Sequence, residues 1–180
     1  MHRLQCDNTN YMSESQPKTI IVMGPQGSGK GTQLSLLKKF FEEHLKHSVF
    51  QFSTGDGFRK VLNDTTYTAG LVKDHYNTGK LQPLFLTVTL WGNAFLQNLE
   101  NGQDVFVDGY PRTALEAETL DTAFDFYGKE KVDVLFFDLP EAEAINRMKL
   151  RGRTDDTDEA IAERLSYYHN YTVPVFDYFK

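Results

Sequence analysis

The chain has 180 residues, 40% of them apolar and 13% aromatic, which is material for one compact core and not for two. Its formal net charge of -6 excludes a general nucleic-acid binder, which has to neutralise many backbone phosphates. A single cysteine, Cys6, excludes a disulfide framework and a four-ligand zinc site and points to a reducing cytoplasm.

In chain order, residues 1–17 form a polar leader without an apolar h-region, read as a disordered tail with neither a secretion signal nor a membrane anchor. No apolar run anywhere approaches the length of a membrane span, about 18 residues. TIIVM (19–23) follows as the first strand candidate, and after it comes GPQGSGKGTQ (24–33). That stretch nearly matches the phosphate loop G-x-x-x-x-G-K-S/T, with Gly31 where the motif has a hydroxyl. A strand before the loop and an amphipathic pattern after it, LSLLKKFFEEHL (34–45), are what a phosphate seated on a helix N-terminus requires. Gly27, Gly29 and Gly31 let the backbone approach phosphate closely, Lys30 supplies a point charge, and Thr32 keeps a hydroxyl near a metal. His44 and His47 fall within one turn and read as a solvated face, because no carboxylate or cysteine set accompanies them.

VFQF (49–52) is the second strand candidate, and residues 83–99 the next helical pattern. DVFVD (104–108) is the third strand, and Asp108 ends it where a parallel sheet presents residues to its ligand crevice. A magnesium-associated carboxylate is the natural reading. GYPRT follows, with Arg112 behind a proline that stiffens its turn. Helical spacing resumes over 113–127, the strand VDVLFFD covers 132–138, and EAEAINRMKL (141–150) is helical again. A last helix is expected over about 157–179, capped by Asp156 with Glu159. In it the aromatic cluster YYHNY (167–171) reads as core packing and not as a base-stacking platform. Apolar runs alternating with helices predict an α/β fold with a parallel sheet of four visible strands. Six arginines beyond the leader, in an acidic chain, imply a specific polyanionic ligand.

GPQGSGKGTQ, FSTGDGFR (52–59), DGYPRT (108–113), RGRTDD (151–156) and AERL (162–165) occur in the order and spacing of the adenylate kinases, nucleoside monophosphate kinases with a phosphate loop. The resemblance spans residues 18–180 and is of the short-lid type. Members typically carry glycine after the loop lysine, as this chain does at Gly31. The resemblance implies magnesium-dependent phosphoryl transfer from ATP to a monophosphate, most simply AMP. Kinases for GMP, UMP or CMP, and a nucleotide-binding module without turnover, are the alternatives. It also implies a cytoplasmic monomer with no nucleic-acid or membrane partner.

By the same resemblance Gly27, Ser28, Gly29, Lys30, Gly31 and Thr32 bind the ATP phosphates and Arg147 stacks on its adenine. Arg59 and Arg112 grip the acceptor phosphate, Thr54 touches the acceptor's base, and Gly55 and Gly109 belong to the same monophosphate site. Arg151, Arg153 and Arg164 surround the transferred group, and Asp108 holds magnesium through a water. Residues 53–82 form a monophosphate-binding lobe and 151–155 the lid. Three features depart from the family. The lid is shorter, the chain stops at Lys180 where members continue with a fifth strand and a helix, and Gln82 and Glu116 replace a small apolar residue and a base-reading glutamine. Glutamate only accepts hydrogen bonds, which predicts weakened discrimination of AMP from GMP if Glu116 faces the base.

Overall fold

Four apolar runs become strands, and the two central ones are covered on both faces, so in them no alternation with polar residues is needed. The computed structural model describes residues 16–129 and 131–180, leaving most of the predicted leader outside the described residues. The strands are β1 (Thr19–Met23), β2 (Val49–Ser53), β3 (Asp104–Asp108) and β4 (Val132–Phe136). They pair in parallel in the order β2-β3-β1-β4, with Val22 and Ser53 both in register with Asp108. The carboxyl ends of β1, β2 and β3 therefore lie side by side, and the loops that leave them meet.

Helices connect the strands: α1 (Lys30–Phe40), α2 (Thr54–Leu62), α3 (Tyr67–Asn77), α4 (Leu84–Asn98), α5 (Ala114–Phe126), α6 (Glu141–Arg151), α7 (Asp158–Tyr167) and α8 (Val173–Tyr178). Alternate strand residues feed two cores. Ile21, Met23, Phe50, Phe52, Val105 and Val107 pack on one face with Trp91 and Phe95 of α4, Leu120 and Phe124 of α5 and Val175 of α8. Ile20, Val22 and Phe106 pack on the other with Leu34 and Phe41. This period-two division is the reason the apolar runs of the central strands, IIVM in β1 and VFV in β3, are uninterrupted. β4 lies at one edge, and Leu135 and Phe136 on it are exposed.

The structure corrects several readings of the sequence. The span expected as one last helix is three pieces: α7, a wider π turn over Tyr168–Thr172, and α8. Pro174 has no N–H to return to the preceding turn, so the ladder widens before it, and the proline sits in the first turn of α8, where no such N–H is needed. The cap of α7 is Thr157, whose hydroxyl accepts from the Ala160 amide at 3.2 Å, and not Asp156. His47 lies beyond the first helix and its π-turn extension, and its Nδ1 pairs with buried Asp104 at 2.7 Å, so it is no solvated face. Residues 53–82, assigned as a whole to a small lobe, contain α2 and α3. Their N-caps, Ser53 and Thr66, accept from Asp56 and Ala69.

Candidate active site

Two loops at the strands' carboxyl ends, together with the start of α2, line a cavity of about 600 Å³. The first is the loop between β1 and α1. Gly27 has φ +84°, and a Cβ there would come 2.6 Å from the Ala144 carbonyl, so the loop can pack on α6 only with glycine. Gly29, at φ +89°, is the N-cap of α1 and offers no side-chain cap, which leaves the first-turn amides for a ligand. Lys30 folds back to donate to the carbonyls of Gly24 and Pro25, both at 2.7 Å, and to Ser28 Oγ at 3.4 Å. Burial of the ammonium, aided by Arg112 and Arg151 and opposed by Asp108, brings its pKa down to about 8.

Asp108 faces this loop from the end of β3. Burial raises its carboxyl above the usual range, against the pull of Lys30 and Arg112. A Cβ at Gly31 would approach Asp108 Oδ2 to 3.2 Å, which explains why glycine replaces the usual hydroxyl residue. A serine there would crowd the carboxylate. Thr32, one place on, also lines the cavity. These oxygen donors beside a phosphate loop suit magnesium, a hard cation that takes few protein ligands.

The second loop, 109–113, follows β3, carries a cis Tyr110–Pro111 bond and presents Arg112. Its geometry is held at every polar point. Arg112 Nε donates to the Gly109 carbonyl at 2.8 Å, its backbone N–H to Glu116 Oε2 at 2.6 Å, and its Nη1 to the Tyr167 hydroxyl at 3.0 Å. Thr172 donates to its carbonyl at 3.1 Å. Arg59, from α2, reaches the same cavity, paired with Asp56 and donating from Nη1 to the Tyr76 hydroxyl at 3.3 Å. Arg147, Arg151 and Arg153 complete the wall. Burial, with Arg151 and Arg59 nearby, lowers the pKa of Arg153.

Five of the residues named from the sequence lie outside this wall. Ser28 is buried beneath the loop. Thr54 is buried and donates to the Gly109 carbonyl at 2.8 Å. Gln82 donates to the Val72 carbonyl at 3.2 Å. Glu116 is buried against the Arg112 amide. Burial raises its carboxyl, opposed by that hydrogen bond, so the expected contact with a base is replaced by a contact with the loop. Arg164 has its side chain 8% exposed and is engaged by Asp155 and Asp156, the latter also held bidentately by Arg151 at 2.8 and 2.9 Å. A buried guanidinium needs such partners, and they hold Arg164 away from the cavity wall. Conversely, Gln26 and Tyr167 line the cavity without having been singled out. Gln26 was readable as a loop member, whereas Tyr167 sat in an aromatic run whose spacing indicated core.

Residues 22–180 match the family described as adenylate kinase. The chain belongs to the adenylate kinase family. It is 35% identical to the adenylate kinase of Mycolicibacterium vanbaalenii over 164 residues, covering 89% of this chain and 84% of that protein. It is likewise 35% identical to the adenylate kinase of Mycolicibacterium smegmatis over 161 residues, with 89% and 85% covered. The adenylate kinase of Phocaeicola vulgatus is 34% identical over 166 residues, with 89% and 84% covered. Membership makes the protein a nucleoside monophosphate kinase, and the parallel sheet with its phosphate loop is the fold of an α/β adenylate kinase.

Proposed function

We propose that this adenylate kinase homologue transfers the terminal phosphoryl group of ATP to AMP, forming two ADP, in the cavity bounded by the phosphate loop, Asp108 and the arginines. One observation carries the reading: a single cavity is lined by a phosphate loop with Lys30 and also by Arg59 of α2 and Arg112 of the 109–113 loop. Two polyanions must be brought together there, and the arginine forks offer bidentate contact with phosphate oxygens while screening their repulsion. The loop amides and Lys30 take the phosphates of ATP, and Arg59 and Arg112 take the acceptor phosphate.

The acceptor's second phosphate ionisation lies near pH 6, so it is already largely a dianion at neutral pH and needs no general base. The O–P bond to the acceptor forms as the bond from the γ-phosphorus to the β,γ-bridging oxygen breaks, and the leaving charge stays on ADP. Positioning and charge stabilisation supply the catalysis, and Arg151 and Arg153 are placed to meet the charge on the transferred group. Magnesium, when bound beside Asp108 and Thr32, would neutralise phosphate charge and orient the ATP tail.

The lone cysteine supports a place in the cytoplasm. The protein acts as a monomer in this reading, which light scattering tests. No helix among the described residues is long and apolar enough to cross a membrane. An assay coupled to ADP formation, run with ATP and each of AMP, GMP, CMP and UMP, tests the reaction. AMP-dependent ADP formation that requires magnesium is expected, and its absence with every acceptor would refute the proposal.

A further inference from the structure

Tyr167 ends α7 and is 6% exposed, yet its hydroxyl reaches the cavity. Two groups meet there from opposite sides. Arg112 Nη1, on the acceptor side, donates to the hydroxyl at 3.0 Å, and the Arg112 guanidinium carbon stands 5.8 Å from the centre of the tyrosine ring. The amide of Gln26, in the phosphate loop beside the Pro25 carbonyl that holds Lys30, contacts the same hydroxyl.

The hydrogen-bond inventory sharpens this picture. With Gln26 donating through Nε2, its Oε1 is buried without a partner among the described residues, and none of them accepts the Tyr167 hydrogen. The opposite amide orientation gives that hydrogen an acceptor: the Tyr167 O–H donates to Gln26 Oε1 and its oxygen accepts from Arg112, and Gln26 Nε2 becomes the buried amide atom without a partner among the described residues. Each link then has one donor and one acceptor, running from the phosphate loop through the phenol to the arginine. Because Arg112 Nε is already committed to the Gly109 carbonyl, the Tyr167 contact fixes the remaining rotation of the fork.

We propose that Tyr167 is a positioning residue for phosphoryl transfer, its hydroxyl tying the phosphate loop, through Gln26, to Arg112 and so setting the acceptor grip relative to the donor. The inference rests on the proposed reaction for its kinetic consequence. A misplacement of one ångström between reacting groups is costly, so a rigid tie between the two grips serves the reaction more than it serves the fold. The ring alone supplies the packing of Tyr167, and the hydroxyl alone supplies the tie.

Tyr167→Phe separates the two, and Gln26→Leu cuts the tie at its other end. Steady-state kinetics with ATP and AMP are measured for the wild type, each variant and the double variant, together with calorimetric binding of AMP alone and melting temperature. The expected result is a fall of about ten-fold or more in kcat/KM for AMP in Tyr167→Phe, with KM for ATP within about two-fold of the wild type. The double variant should fall no further than the worse single variant, since both break one chain. Unchanged AMP kinetics and AMP affinity in Tyr167→Phe would overturn the inference, as would parallel losses for both nucleotides tracking a lowered melting temperature, or strictly additive losses. Should the wild type form no ADP, the proposed reaction fails on its own. AMP calorimetry then still decides the tie: weakened binding in Tyr167→Phe supports it, and equal binding overturns it.

Discussion

Lys30 is drawn below its ordinary pKa to about 8 by burial in a cluster that also holds Arg112 and Arg151, so its charge should leave within the range where the protein can be assayed. With that value, about nine-tenths of the ammonium is charged at pH 7 and about one-tenth at pH 9. If only the charged form grips ATP phosphates, apparent ATP affinity falls about ten-fold over those two units, equivalent to about 1.4 kcal/mol. Unfolding through this group cannot imitate the effect. Because the folded value lies below the unfolded one, the unfolded chain binds more protons between them, and this group's contribution to stability rises with pH. The assay is calorimetric ATP binding from pH 7 to 9 in buffers of differing ionisation enthalpy, which also reads the proton taken up when bound phosphates restore the charge. Lys30→Ala should bind ATP more weakly at pH 7 and lose the pH dependence, and its phosphotransfer should drop by on the order of 3 kcal/mol of transition-state stabilisation. A wild-type affinity that stays flat from pH 7 to 9, or an equal slope in Lys30→Ala, would refute the assignment of Lys30 to the phosphates.

Further outcomes follow from single contacts. Arg59→Lys and Arg112→Lys keep a charge but lose the fork, so kcat/KM for AMP should drop about ten-fold or more while ATP affinity holds; the opposite pattern in steady-state kinetics would exchange the two sites. Gly31→Ser places a Cβ 3.2 Å from Asp108 Oδ2, close enough to push the carboxylate aside, and should raise the magnesium needed for half-maximal rate without lowering the melting temperature; an unaltered magnesium titration would count against Asp108 as the metal-side carboxylate. Glu116→Gln keeps an acceptor for the Arg112 amide, so the AMP to GMP ratio should stay the same, whereas a ratio sharpened about ten-fold in the acceptor panel would return Glu116 to the base. Asp156 has a lowered pKa because its pairs with Arg151 and Arg164 outweigh the effect of burial. Its stabilising share is therefore present at neutral pH and lost as pH falls through a value below the ordinary carboxylate one. Asp156→Asn, which strips Arg164 of one of its carboxylate partners, should cost on the order of 3 kcal/mol in urea unfolding at pH 7 and much less near pH 3.

The strands were legible in the sequence because a sheet buried on both faces leaves no choice of residue along a run such as TIIVM or DVFVD. The phosphate loop was legible too, since its chemistry resides in consecutive backbone amides and needs no distant partner. α2 and α3 were not singled out: within residues 53–82 few positions are buried, so no apolar period announces them. The arginines could be named from the sequence, but what each one does is decided by partners far along the chain. Arg112 owes its direction to Tyr167, 55 residues away, and Gln26 meets that same hydroxyl across 141 residues. Glu116 and Arg164 resembled ligand contacts, yet burial obliges a carboxylate and a guanidinium to find their partners nearby, in the Arg112 amide and in Asp155 and Asp156. Local order can be read from residues in sequence because its forces act between neighbours. The assignment of charged side chains to a cavity or to the interior depends on which distant groups folding places beside them, and only the tertiary structure decides that.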